Sequence, residues 1–395
     1  MLDLTRICEP KGGSKQRGPR RLGRVSWCPV PPLNLGLPAS PVLGGAPPVL
    51  GWPRASRALG LLVMCLLLGS GCQPSPGPRL VATLGLGDDT MILSEVAFSP
   101  DGRTLAAGAF EAVVALWDVR TQRLRDRLEV PADVWPPGFA FAPDGEGLVV
   151  ARAGDVLWRN LATGQYRVLK KLGKRISALA FSPDGKLLAV GADGGAVMLW
   201  DVAAGQELAT LQGKETVSGL AFSPDGKLLA AGDGRGRVPS YGVVHIWDVA
   251  SRRLRASLPG HDNQVGDVAF SADGKTLASG GDDVRLWEVA SGKPRATLTP
   301  GFGPIYQVKF CPGGRVLAVG GGLSSEHDDY SKPGKVAFYD AATWEHILTL
   351  EAHEASICSL AFSSDGKLMA VACSRDTVKV WDVSALTQGP ARRGR

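Results

Sequence analysis

The chain has 395 residues, with 44 Lys or Arg against 38 Asp or Glu, and 44% of the residues are hydrophobic. The basic excess sits at one end: residues 1–78 carry nine Lys or Arg against Asp3 and Glu9, leaving 35 basic and 36 acidic residues beyond them. That balance excludes recognition of nucleic acid by charge alone over residues 79–395, which offer a phosphate backbone no field of one sign. The length is ample for one large core. Up to about residue 57 the sequence is rich in Pro, Gly and Arg without a strand or helix period, the composition of a disordered leader.

Residues 58–72 change character. Arg54 and Arg57 precede the apolar run Ala58–Leu68, too short to span a bilayer but of the length found at the centre of a secretory signal. It ends in Leu68-Gly69-Ser70-Gly71-Cys72, followed by the Pro-rich stretch 73–78. This ending resembles a bacterial lipoprotein cleavage box and its tether, with the Leu four residues before the Cys rather than the usual three. The resemblance implies cleavage before Cys72, a diacylglyceryl group on its sulfur, and a protein anchored outside the cytoplasm, in the periplasm or at the cell surface. Met1 lies far upstream for such a signal, and translation is expected to begin nearer residues 40 to 54. Two alternatives stand beside this reading: an uncleaved leader on a cytoplasmic protein, and a twin-arginine signal at Arg20-Arg21, which no continuous apolar run follows.

From residue 79 onward the sequence repeats itself. The stretch AFSPDGKLLAVGADGGAVMLWDV, residues 180–202, reads as two strands joined by a Ser-Pro-Asp-Gly turn and then a third strand. Pro presets φ, Asp bonds its own backbone and Gly takes the positive φ that closes a tight hairpin. Variants recur seven times at a period of roughly forty residues, the range of radial and stacked arrays. Their anchoring aromatics are Phe98, Phe141, Phe181, Phe222, Phe270, Phe310 and Phe362. Downstream of these come Trp117, Trp158, Trp200, Trp247, Trp287, Tyr339 and Trp381, four of the tryptophans being followed directly by Asp.

Seven such copies in register resemble the WD-repeat β-propellers over residues 79–384. The resemblance implies an all-β fold: one seven-bladed propeller of four-stranded antiparallel blades, with strand a innermost and the disordered extension in front. It also implies a buried hydrogen-bond network in two blades, one of His261, Ser279, Asp282 or Asp283, and Trp287, the other of His353, Asp376 and Trp381. Elsewhere apolar packing alone is expected to hold the blades. Residues 79–84 read like the outer strands 255–258 and 295–298, while the chain ends on a third strand, 378–383. Residues 79–84 are therefore predicted to complete the last blade and remove its open edge, and 385–395 form a basic tail. Truncating 79–84 is predicted to cost far more than trimming from Ala385.

Cys311, Cys358 and Cys373 fall within the repeats. If Phe362 pairs with Lys367, Cys358 faces Val371 with Cys373 as a diagonal neighbour, and the pair reads as free buried thiols. No Cys-x-x-Cys spacing, phosphate loop, nucleophile elbow or His-Glu-x-x-His helix occurs. No metal site and no cofactor are expected.

Two repeats are lengthened between their second and third strands. Asp233–Gly242 carries Arg235, Arg237 and Tyr241; residues 321–334 carry Glu326, His327, Asp328, Asp329 and Tyr330. The second loop has cation-ligating residue types but reads as a solvated acidic loop. In a propeller both insertions stand on one rim, and those eight residues are the candidate partner-binding set. Residues 176–180 and 217–221, on innermost strands, are small and apolar, and no convergent set of His, Asp or Glu is expected there. The sequence thus points to a noncatalytic, monomeric scaffold for protein or peptide partners, meeting a membrane only through its lipid. The alternative is a lactonase- or lyase-like propeller enzyme acting at the central channel.

Overall fold

The computed structural model describes residues 77–388, apart from 88–91, 110–112, 130–137, 153, 214, 234–240, 323–332, 374 and 376. The extension, Cys72 and the tail from residue 389 lie outside them. The first strand is β1 (Arg79–Gly85). The first blade then comprises β2 (Leu93–Phe98), β3 (Thr104–Ala109), β4 (Val113–Asp118) and β5 (Arg123–Glu129); the second comprises β6 (Phe139–Phe141), β7 (Gly147–Arg152), β8 (Asp155–Asn160) and β9 (Tyr166–Lys171). Blade three is β10 (Ile176–Phe181), β11 (Leu187–Ala192), β12 (Ala196–Asp201) and β13 (Gln206–Gln212), and blade four is β14 (Val217–Phe222), β15 (Leu228–Asp233), β16 (Gly242–Asp248) and β17 (Arg253–His261). Blade five runs β18 (Asp267–Phe270), β19 (Thr276–Gly280), β20 (Val284–Glu288) and β21 (Pro294–Leu298), and blade six β22 (Ile305–Phe310), β23 (Val316–Gly321), β24 (Gly334–Asp340) and β25 (His346–His353). The last blade takes β26 (Ile357–Phe362), β27 (Leu368–Cys373) and β28 (Thr377–Asp382), and its outer strand is β1, antiparallel to β28.

Each blade is built by local chemistry. In the first turn the Ser99 hydroxyl donates to Asp101 Oδ1 at 2.6 Å and accepts from the Thr104 N–H at 2.9 Å, while Gly102 takes φ 69°. The hydroxyl and the Arg103 N–H on the carboxylate hold Asp101 below the usual carboxylate range. Ser182, Ser223, Ser271 and Ser363 repeat the arrangement. Cys311 replaces this Ser in blade six, its sulfur receiving the Val316 N–H at 3.3 Å. The Asp of each Trp-Asp pair has its own task at the next turn. Asp118 and Asp248 accept from the backbone N–H three residues on, at 2.7 Å in both, as an Asx-turn does.

Between blades most of the buried side chains are apolar. Trp117 is 1% exposed and sits with Ala82, Leu84 and Val380, so the closing strand β1 is part of the core between the last blade and the first. The chain ends in α1 (Ser384–Thr387), where Thr387 Oγ1 donates to the Gly366 carbonyl at 2.7 Å and Leu386 packs on the core of the last blades. Trimming from Ala385 would therefore remove packed groups, which corrects the expectation that this end is free.

Register corrects two readings. In blade two the pairs Gly147↔Asn160 and Leu148↔Arg159 match Leu187↔Asp201 and Leu188↔Trp200 of blade three. Arg159, not Trp158, thus holds the tryptophan position, and Trp158 has slid one residue to lie over Gly147, where a Cβ would come within 2.0 Å of its ring. Arg159 compensates by reaching Asp126 Oδ2 of blade one at 2.9 Å and the Gly164 carbonyl at 3.1 Å, its guanidinium 4.8 Å from the Tyr166 ring centroid. In the last blade Phe362 pairs with Met369, so Leu360 faces Val371, and a bulge at Cys358 leaves Ile357 opposite Cys373. Cys311, Cys358 and Cys373 are free thiols; burial pushes Cys358 up to about 12 and Cys373 to about 11.

Candidate functional site

Among the described residues, the His, Ser and Trp part of the expected network forms in blade five, with His261 Nδ1 left without a hydrogen-bond partner. Ser279 Oγ accepts from Trp287 Nε1 at 2.9 Å and bonds His261 Nε2 at 2.7 Å. Of the two candidate carboxylates, Asp283 lies 3.5 Å from His261 Nδ1, while Asp282 accepts from Asn263 instead. Burial lowers the His261 pKa to about 4, so the ring is neutral at pH 7 and its Asp283 contact is not an ion pair. In the last blade register puts Val371 where Ser279 stands, since Met369↔Trp381 matches Leu277↔Trp287. Trp381 Nε1 consequently has no partner, and Trp381 does not join the network assigned to it. His353 bonds Cys373 Sγ at 2.9 Å and the Thr377 carbonyl at 3.0 Å; Asp376 lies outside the described residues.

Strands b and c alternate in direction, so the b–c loops leave the ring on the same face as the links between blades. Both insertions leave there, and their stems are tightly fixed. The Gly242 N–H donates to the Asn263 carbonyl at 3.0 Å and the Val243 N–H to Asp233 Oδ1 at 3.1 Å. A Cβ on Gly242 would fall 2.3 Å from the Asn263 oxygen, and one on Gly334 2.1 Å from the Ala355 oxygen, so each stem requires glycine. Tyr241 stands at the first foot, 67% exposed. Arg235, Arg237, Glu326, His327, Asp328, Asp329 and Tyr330 lie outside the described residues.

That face opens into a central channel of about 1410 Å³ lined by the innermost strands. Its polar groups correct the expectation of small apolar residues. The third position of strand a bonds the next blade: Glu95 Oε2 accepts the Phe139 N–H at 3.0 Å, Asp267 Oδ2 the Val308 N–H at 3.2 Å, and Ser359 Oγ the Val96 N–H at 3.1 Å. Lys309 Nζ bonds Asp267 Oδ2 at 2.6 Å. Among the described residues no group of three or more His, Cys, Asp or Glu is arranged to hold a metal ion.

Burial pushes Glu95 up to about 7, against the Phe139 N–H and the Lys309 charge, which lower it. A carboxyl raised above its unfolded value stabilises the fold most fully below that value and progressively less as pH rises through the folded pKa. Thermal melts of the chain and of Glu95→Gln, which keeps an acceptor for Phe139, are therefore expected to diverge by about 1–3 kcal/mol between pH 4.5 and 8, the wild type losing ground. Parallel melts across that range would place Glu95 in free contact with water.

The WD domain, G-beta repeat family model matches residues 79–118, 205–248, 252–287 and 344–382, and the anaphase-promoting complex subunit 4 WD40 domain matches 140–216. The chain is 31% identical to WD repeat-containing protein SL1-17 of Schistosoma mansoni over 27% of its length, and 27% identical to transcription initiation factor TFIID subunit 5 of Caenorhabditis elegans over 46%. It is 29% identical to WD repeat-containing protein VIP3 of Arabidopsis thaliana over 28%. The matches span 36%, 28% and 39% of those relatives.

Proposed function

We propose that this chain, which carries WD40 repeats in a seven-bladed propeller, is a protein-interaction scaffold that docks its partners on the face carrying the insertions of blades four and six. The observation behind this reading is the pair of glycine-locked stems, which present two long loops from a rigid ring, with Tyr241 exposed at the foot of one. The loops bring opposite charge, Arg235 and Arg237 on one and Glu326, Asp328 and Asp329 on the other, and each carries a tyrosine. A partner spanning both needs a mixed-charge surface with an aromatic-binding depression. Simultaneous replacement of Arg235, Arg237, Tyr241 and Tyr330 by alanine is expected to abolish partner capture without lowering the melting temperature. Capture that survives those substitutions would move the docking surface elsewhere on the ring.

The same reading places the ring outside the cytoplasm on a lipid at Cys72. Its support is the apolar run 58–68, the Leu-Gly-Ser-Gly-Cys ending and the Pro-rich tether. Expressed in a bacterial host, the mature chain should begin at a lipid-modified Cys72. A chain retaining residues 58–71 would instead make this a scaffold of the cytoplasm.

A further inference from the structure

Blade four holds a hydrogen-bonded series that the scaffold reading leaves unused. Asp233 on β15, His245 on β16 and Ser257 on β17 lie on three neighbouring strands, and His245 pairs directly with Ser257. Asp233 Oδ2 is 3.1 Å from His245 Nε2, and His245 Nδ1 is 2.9 Å from Ser257 Oγ. Asp233 is 2% and His245 5% exposed, whereas Ser257 is open to solvent. The other Asp233 oxygen accepts the Val243 N–H at 3.1 Å, which fixes the carboxylate. Facing an acceptor-only carboxylate, Nε2 carries the ring proton; Nδ1 is then a bare lone pair aimed at the Ser257 hydroxyl.

The surroundings hold this geometry. The Trp247 ring lies 5.5 Å from the imidazole, centroid to centroid. Trp247 and Ala231 pack with Leu199 and Leu211 of blade three, whereas Val244, Ile246 and Leu258 pack toward blade five. Strand alternation thus puts His245 and Ser257 on the blade-three side, where Arg252 Nη1 of blade four donates to the Leu208 carbonyl of blade three at 2.8 Å. β17 is the outermost strand of its sheet, so alternate backbone N–H groups along it point outward, unpaired within the blade. Among the described residues the other histidines lack this combination: the Ser279 bonded to His261 is fully buried, His353 meets Cys373 Sγ, and exposed His346 meets Thr349 Oγ1 with Tyr339 against its ring.

We propose that Ser257 is a nucleophile activated through His245 and Asp233, and that from its exposed position on β17 it attacks carboxylic esters with a good leaving group. Ser257 Oγ would add to the carbonyl carbon as its proton passes to Nδ1, and the carbonyl π pair moves onto oxygen, facing the outward N–H groups of β17. Collapse of that adduct breaks the bond to the leaving alcohol, which takes the proton from Nδ1 and leaves an acyl-serine. Water, deprotonated by Nδ1, then releases the carboxylate and restores Ser257. Asp233 is the positioning residue, holding the imidazolium through Nε2–H.

The test is acetylation of the full chain by 4-nitrophenyl acetate, followed by intact mass and peptide mapping. One acetyl group is expected at Ser257, forming at least about a hundredfold faster than on a peptide of residues 253–261. Ser257→Ala, a change at an exposed edge, should abolish this acetylation and keep the wild-type melting temperature. Acetylation of Ser257 no faster than in the peptide, or at other residues only, would overturn the proposal and leave the three residues as a structural bridge.

Discussion

Deleting residues 79–84 is expected to destabilise the ring by about 5 kcal/mol or more and to make the chain self-associate. The estimate starts from Leu84, 5% exposed and packed with Trp117; losing one buried leucine side chain costs about 2–5 kcal/mol by itself. The deletion also removes Ala82 and the ladder from Arg79↔Asp382 to Leu84↔Val378, leaving β28 as a largely bare edge that templates pairing between molecules. Removing residues 389–395 is the fair control, because α1 ahead of them contributes Leu386 and Thr387 to the last blades. Calorimetry with light scattering would decide it: equal melts for the two truncations would mean that β1 adds nothing to closure.

Asp267→Ala is expected to cost about 3–5 kcal/mol, the largest effect of any single change in the channel. The carboxylate is 5% exposed and accepts the Val268 N–H at 2.9 Å, the Val308 N–H at 3.2 Å and Lys309 Nζ at 2.6 Å. Its loss strands two buried donors and an ammonium, and removes the side-chain bridge between blades five and six while the Ile305 N–H still donates to the Gly281 carbonyl at 2.7 Å. Lys309→Met should cost much less, since Asp267 keeps both backbone donors and Lys309 is partly solvated. Urea titrations of the two variants should therefore separate clearly. Coincident midpoints would assign the stability to the ion pair rather than to the bridging carboxylate.

The fold was legible because its chemistry is local. A Ser-x-Asp-Gly turn reads the same wherever the chain places it, and an Asp after Trp announces the next turn. Arg159 escaped because Trp158-Arg159 looks like an eroded Trp-Asp pair; only the pairing Gly147↔Asn160 shows the aromatic one place early. The interblade acceptors were within reach. Set in register, the third positions of strand a are Glu95, Gly138, Ala178, Gly219, Asp267, Gln307 and Ser359, and three of these bond the next blade. Reading only blades three and four, where the position holds Ala178 and Gly219, hid them. The Asp233, His245 and Ser257 series was not legible, because successive members stand twelve residues apart and only the register of three strands brings them side by side. The rim is intermediate: insertion lengths mark where the loops leave, and the stems show what fixes them, through Asp233 and the glycines at 242 and 334.

Everything proposed for this ring requires that β1 closes it within one molecule. Thr83 and Lys379 are direct partners across β1 and β28, and antiparallel partners lie at Cα separations of about 4.5–5.5 Å, within reach of a disulfide. The most direct measurement is oxidation of a Thr83→Cys, Lys379→Cys double variant, followed by non-reducing mass analysis. Closure predicts a quantitative intramolecular cross-link and a melting temperature above that of the reduced variant. Chains that stay reduced, or that link only to one another, would contradict it and show the last blade open or completed by a neighbouring molecule.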